Sequence, residues 1–130
     1  MSTLRADTIQ STGGGAATLT KQSAAKQWLQ YNQETPAVTG SFNVSSVSDD
    51  STGNFTTSLA NNVSSTSNVA VTGLSNQDSG DSTRRGIAFK RDAGGTFNTG
   101  QYPVDVVDMG NGSSNSDQKF NFTLLHGDLA

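Results

Sequence analysis

The sequence predicts an all-β fold, an antiparallel β-sandwich of jelly-roll type preceded by an extended N-terminal arm. Three observations predict it. Ser, Thr, Asn and Gly fill 59 of 130 positions while Val, Ile, Leu and Phe supply only 25, which gives much turn chemistry and a thin core. Net charge is only -3 with 15% charged residues, too little self-repulsion for the disorder that low aliphatic content otherwise implies. Short alternating apolar segments recur roughly every 8 to 15 residues between turn signals, the spacing of a sandwich. A chain of 130 residues has room for one such domain with an arm, and the division falls at 1–20 for the arm and 21–130 for the sandwich.

In the arm, Leu4, Ile9 and Leu19 stand isolated around Thr12-Gly13-Gly14-Gly15-Ala16-Ala17. The glycine triplet acts as a joint, so these three side chains are expected to dock on something outside the segment. Residues 18–32 hold good helix formers (Ala, Lys, Gln), and their apolar spacing fits two periods. Ala25, Trp28 and Leu29 suit a helical face, whereas Leu29 and Tyr31 suit strand alternation from Trp28. The reading favoured is a short helical turn passing into a first strand, with Trp28 in the core.

After Pro36 the alternation becomes regular. Ser41-Phe42-Asn43-Val44-Ser45 alternates, Val47 shifts the phase as a bulge does, and Asp49-Asp50-Ser51-Thr52-Gly53-Asn54 supplies a turn before Phe55-Thr56-Thr57-Ser58-Leu59, which makes a hairpin. Val69 and Val71 mark a strand, residues 75–82 a polar loop, and Ile87 with Phe89 the next strand. Residues 93–96 turn the chain. Val104, Val106, Val107 and Met109 follow Pro103, which suits a strand's first residue or an edge. After the loop 110–116 comes the clearest strand, Lys119-Phe120-Asn121-Phe122-Thr123-Leu124-Leu125-His126, in which Phe120, Phe122 and Leu124 share one face.

The acidic balance disfavours nucleic acid and anionic membranes, which call for surplus Lys and Arg. With no cysteine, disulfides, thiolate metal sites and cysteine nucleophiles are excluded. No stretch approaches the roughly 20 apolar residues of a membrane span, and the N-terminus has no apolar signal core. The expectation is a chain made soluble in a bacterial cytoplasm that needs partners to complete its packing.

Three separated motifs carry a resemblance: Ser2-Thr3-Leu4-Arg5-Ala6-Asp7-Thr8-Ile9-Gln10, then Leu19-Thr20-Lys21-Gln22-Ser23-Ala24-Ala25-Lys26-Gln27-Trp28, then Ser41-Phe42-Asn43-Val44-Ser45-Ser46 with residues 49–55. In this order they resemble the N-terminal part of small structural and tail-fibre-like proteins of marine tailed bacteriophages, notably those infecting cyanobacteria. The resemblance covers residues 2–60. It implies a virion component, a β-rich homotrimer attached to a tail or capsid protein through its N-terminal segment, and leaves tail and capsid surface both open.

Catalytic chemistry has little to stand on. His126 is the single histidine and ends a strand, no Gly-x-Ser-x-Gly elbow presents a nucleophile, and the expectation is a non-enzyme without cofactor. Asp49, Asp50, Ser51 and Asn54, and likewise Asp78 and Asp81, group oxygen ligands around turns, but neither set has the spacing of a calcium loop, and turn chemistry accounts for both. Gly13-Gly14-Gly15 lacks the Lys-Ser/Thr pair of a phosphate loop. Arg84, Arg85, Lys90 and Arg91 gather half of the basic side chains within eight residues. They suit an acidic capsid or tail surface, or anionic groups of a host glycan, and equally a solvated strand edge protected by charge.

Two functions from different classes compete. The first is a virion structural protein, a tail-fibre-like appendage or capsid decoration whose arm docks onto the particle. The alternative is a module that binds host surface glycan, with Tyr102, and also Trp28 and Tyr31, as stacking aromatics. A hydrolytic depolymerase ranks behind both, because its carboxylates would have to come from loop Asp residues or from Glu34 beside a proline.

Overall fold

A computed structural model describes residues 25–76, 85–89, 97–109 and 115–127. Strands β1 (Ala25–Asn32), β2 (Ala37–Phe42), β5 (Ala70–Asn76) and β8 (Phe120–His126) form one antiparallel sheet in the order β2-β1-β8-β5. Strands β3 (Val44–Ser51), β4 (Asn54–Leu59), β6 (Arg85–Phe89) and β7 (Gln101–Asp108) form a second in the order β3-β4-β7-β6. The core lies between them. Leu29, Tyr31 and Leu125 come from the first sheet, Phe55, Leu59, Tyr102, Val104 and Val106 from the second, and Val63 from the segment after β4. The fold is thus all-β and sandwich-like, as expected. This order does not carry the jelly-roll detail, since β1/β2, β3/β4 and β6/β7 each pair with a sequence neighbour inside one sheet.

Several local expectations change. Ala25, Lys26 and Gln27 belong to β1 and make no helical turn. β1 is a central strand flanked by β2 and β8, and two ladders outweigh the weak helix propensity of Ala, Lys and Gln. Residues 1–24, with the expected arm, lie outside the described residues. So do most of the polar loop after Asn76, the turn at 93–96 and the loop 110–114. The only helical element described is a single 3-10 turn, Thr66–Asn68, capped by the Ser65 hydroxyl, which accepts from the Ser67 amide.

The segment 41–45 is two strands and not one. At Asn43 the chain leaves the first sheet for the second with φ +56°, a left-handed conformation that Asn tolerates better than most residues. Its carboxamide fixes this corner: Nδ2 donates to the Lys26 and Asn61 carbonyls at 3.0 and 3.1 Å, and Oδ1 accepts from the Asn61 amide at 2.7 Å. The following hairpin is the expected one, turning at Thr52 and Gly53, where φ is +68°. Its irregularities fall between Val44 and Ser46 and between Asp49 and Ser51, so Val47 is no bulge and faces the core.

Pro103 is neither first in its strand nor on an edge, since β7 runs between β4 and β6. The described part of β6 ends at Phe89, opposite Val104.

The core has a polar centre. The Tyr102 hydroxyl and Thr123 Oγ1 share a hydrogen bond of 2.8 Å, and Gln27 Nε2 donates to the same Thr123 oxygen at 3.4 Å. Asn121 Nδ2 donates to the Gln118 and Tyr31 carbonyls at 2.9 and 3.3 Å, and its Oδ1 accepts from the Ser75 hydroxyl at 2.7 Å. Tyr31 packs its ring 5.1 Å from that of Phe55. Burial, with the nearby Asp49, Asp117 and Asp50 carboxylates, pushes its phenol up to about 12. Burial also raises Tyr102, against its hydrogen bond with Thr123, which lowers it.

Two predictions follow from this packing. A Cβ on Gly73 would lie 2.5 Å from the Phe122 carbonyl oxygen and 2.9 Å from Ile87 Cδ1, so Gly73→Ala is expected to lower stability by about 1–3 kcal/mol in denaturant unfolding. An unchanged midpoint would contradict the close approach of β5 to β8 and β6. Because the folded state holds the two phenol protons above the ordinary value of 10.0, an unfolded chain releases them first as pH rises. Stability is therefore expected to be flat just below pH 10 and to fall between pH 10 and about 12. Tyr31→Phe is expected to reduce that slope.

Candidate functional site

The first sheet places its larger apolar side chains on the wrong side for a simple core. In β8 the inward residues are Asn121, Thr123 and Leu125, all buried, while Phe122 and Leu124 point outward. Phe120, Phe122 and Leu124 do share a face, and it is the outer one. β1 alternates in step with its neighbour: Gln27, Leu29 and Tyr31 are buried, and Trp28, expected in the core, is outside.

Register assembles these residues into two cross-strand rows. Phe42, Trp28, Leu124 and Thr72 lie side by side across β2, β1, β8 and β5, and Gly40, Gln30, Phe122 and Leu74 form the next row. The indole of Trp28 covers Gly40: a Cβ there would stand 3.0 Å from Cζ3 and 3.1 Å from Cη2. Glycine lets the ring cross the ladder to its diagonal neighbour. Solvent exposure is 42% for Trp28, 53% for Phe42, 75% for Leu74, 41% for Phe122 and 40% for Leu124. Together these five leave about 500 Å² of mostly apolar surface in water, near the top of the range for a patch on a monomer. Burial of that area is worth on the order of 12 kcal/mol before the costs of association.

The opposite sheet has a different outer face. Ser46, Ser48, Asp50, Thr56, Ser58 and Asp105 alternate outward there, with Ala88, Pro103 and Val107 beside them, and no aromatic ring joins them. The acidic groups at the end of the sandwich are engaged in structural bonds. Asp117 Oδ1 accepts from the Gly53 amide at 2.7 Å, Asp50 accepts from Ser48 and Thr56 hydroxyls at 2.7 and 2.6 Å, and Asp49 accepts from Gln33 Nε2 at 3.3 Å. Turn and corner chemistry thus occupies the oxygens that the sequence grouped at 49–54. Among the described residues, no three His, Cys, Asp or Glu side chains converge to hold a metal ion, and no helix is long and apolar enough to cross a membrane.

Of the residues singled out from the sequence, Leu4, Ile9, Leu19, Arg84, Lys90 and Arg91 lie outside the described residues. Arg85 opens β6, half-buried, opposite Asp108 in register. Tyr102 needs correction as a surface aromatic: it is fully buried, because it alternates with Val104 and Val106 on the inner side of β7. Tyr31 is buried as well. Sequence reasoning missed Phe42, Leu74, Phe122 and Leu124 as a surface. The available signal was the polar pair Asn121 and Thr123 alternating with the Phe and Leu residues of β8, since Thr123 bonds Tyr102 and Asn121 bonds Ser75 and two carbonyls on the inner side.

The Trp28 arrangement yields a direct test. Gly40→Val is expected to lift the indole from the ladder, shifting the emission of this single tryptophan to the red and raising its quenching by acrylamide. Stability should change by less than about 1 kcal/mol, as for other surface substitutions; unchanged emission would contradict the placement of the ring. Comparison with protein-family models, with curated proteins and with solved structures finds no match to this chain.

Proposed function

We propose that this chain is a non-enzymatic structural protein of a bacteriophage particle, a small homo-oligomeric tail-fibre-like or capsid-surface appendage anchored by its N-terminal segment. The observation that carries the reading is the uncharged apolar face formed by Trp28, Phe42, Leu74, Phe122 and Leu124 on a domain with a thin, partly polar core. Such a face serves contact between proteins, and it supplies none of the convergent acid, base or nucleophile groups that a reaction needs. The resemblance of residues 2–60 to tail-fibre-like proteins supplies the setting.

The glycan-binding alternative finds support only in Trp28, whose indole lies over Gly40 and is partly exposed. Its neighbours weigh against it. A sugar ring stacked there would meet Phe42, Leu124 and Phe122, with Gln30 and Thr72 as the nearby polar side chains on the two rows, whereas sugar recognition uses several polar groups around the stacking plane.

Removal of residues 2–17 tests the anchoring. The truncated chain is expected to keep its cooperative unfolding transition and to be lost from purified particles, measured by quantitative mass spectrometry of virions. Incorporation at the level of the full chain would overturn the anchoring role of that segment.

A further inference from the structure

We propose that the outer face of the first sheet is where two copies of this chain pair, face on face about a two-fold axis. The inference rests on the reading of the chain as a homo-oligomeric structural subunit for the setting, gives it a two-fold pair in place of the trimer that the resemblance implies, and draws its argument from the face itself.

The first step concerns charge. Neither row, Phe42-Trp28-Leu124-Thr72 or Gly40-Gln30-Phe122-Leu74, holds an Asp, Glu, Lys or Arg. A charged partner gains nothing from it, and two copies brought together here oppose no like charges. The second step concerns complementarity. Among the described residues the large exposed apolar side chains are these five with Val38, on the edge strand of the same sheet, and Met109, which follows β7 and lies over Gly86 on the other sheet. No second apolar patch is described that could receive this one in a head-to-tail contact. The patch therefore matches itself, and a surface that packs on its own copy does so isologously.

Area agrees. Two such patches place about 1,000 Å² of mostly apolar surface in contact, and a polar rim brings the total into the range of specific interfaces, roughly 1,200–2,000 Å². The rim is present: Asn32 and Asn76 flank one side of the rows, and His126 the other. Lys119 Nζ lies 5.5 Å from the Phe120 ring centroid and covers that ring at the same border. Finally, the face cannot be taken inside by a shift of β8, because Asn121 and Thr123 are bound on the inner side. Another surface has to cover it.

The full chain itself supplies the probes. Its single tryptophan lies in the face and it has no cysteine, so Trp28 emission and one introduced cysteine report on the contact without background. Light scattering on the purified full chain is expected to give twice the 13.5 kDa chain mass, with Trp28 emission moving to the red on dilution. Leu74→Lys and Phe122→Lys are each expected to raise the dissociation constant about a hundredfold or more, since a two-fold contact meets each substitution twice. Both should keep the unfolding transition of the chain. Thr72→Cys carrying a spin label provides a readout that needs no disruptive change, with a single short distance between copies expected.

A full chain that stays monomeric at every concentration, with dilution-insensitive Trp28 emission, would overturn the pairing and point to another covering segment or partner. An oligomer unchanged by both lysine substitutions would overturn it too. Pairing by this face without incorporation into particles would support the interface and overturn the virion reading. Incorporation of a chain that never pairs would do the reverse.

Discussion

Strand β8 sits in the middle of the first sheet, and buried hydrogen bonds hold its polar side chains inward. Asn121 alone ties three segments together through the Tyr31 carbonyl, the Gln118 carbonyl and the Ser75 hydroxyl. Thr123 joins the opposite sheet through Tyr102. A slip of one residue would turn every side chain of β8 over. It would bring Phe122 and Leu124 inside, each already more than half covered, for a gain below the roughly 1.5–3 kcal/mol of full burial. Against that stand about five buried bonds, each leaving a partner unsatisfied at about 1–3 kcal/mol. The polar side of the balance wins.

The character of both outer faces descends from that register. β1 pairs with β8 from Ala25 to Tyr31, so Trp28 has to join Leu124 outside while Leu29 and Tyr31 turn inward. β2 and β5 complete the rows with Phe42 and Leu74. The second sheet receives a different allocation. Its inward positions include Phe55, Leu59, Tyr102, Val104 and Val106, and its outward ones mix short hydroxyls and carboxylates with Ala88, Pro103 and Val107. One sheet supplies most of the core, and the other divides its apolar residues between the core and the surface.

The elements were largely readable from the sequence, since Phe55 with Leu59, Val69 with Val71, Ile87 with Phe89, and Phe120 with Phe122 each mark a strand by simple alternation. Other features are invisible to periodicity. The corner at Asn43 interrupts what reads as one alternating strand, because a single left-handed residue changes sheets without changing the pattern. Pro103 reads as an edge signal, yet β7 lies between β4 and β6, a tertiary fact. Alternation also says which residues share a face but not which face is inside. For β8 the apolar set was the natural choice for the core, and the decision lies instead with Tyr102, 21 residues away from Thr123 in the chain. Tyr102 itself looked like a surface aromatic for the same reason.

A chain with 25 Val, Ile, Leu and Phe residues in 130 cannot furnish both a dry core and a sticky surface in the ordinary way. Here directional polar bonds do part of the work inside, each contributing about 1 kcal/mol when satisfied, and Phe and Leu residues are thereby released to the outer face. Polar bonds fix register sharply because they fail when displaced, whereas apolar contacts tolerate repacking. That division suits a protein whose stability is completed by association, since burial of the outer face adds to the folded state alone and never to the unfolded chain. Folding and assembly of such a domain are then coupled through β8, whose inner side sets the register and whose outer side offers the contact.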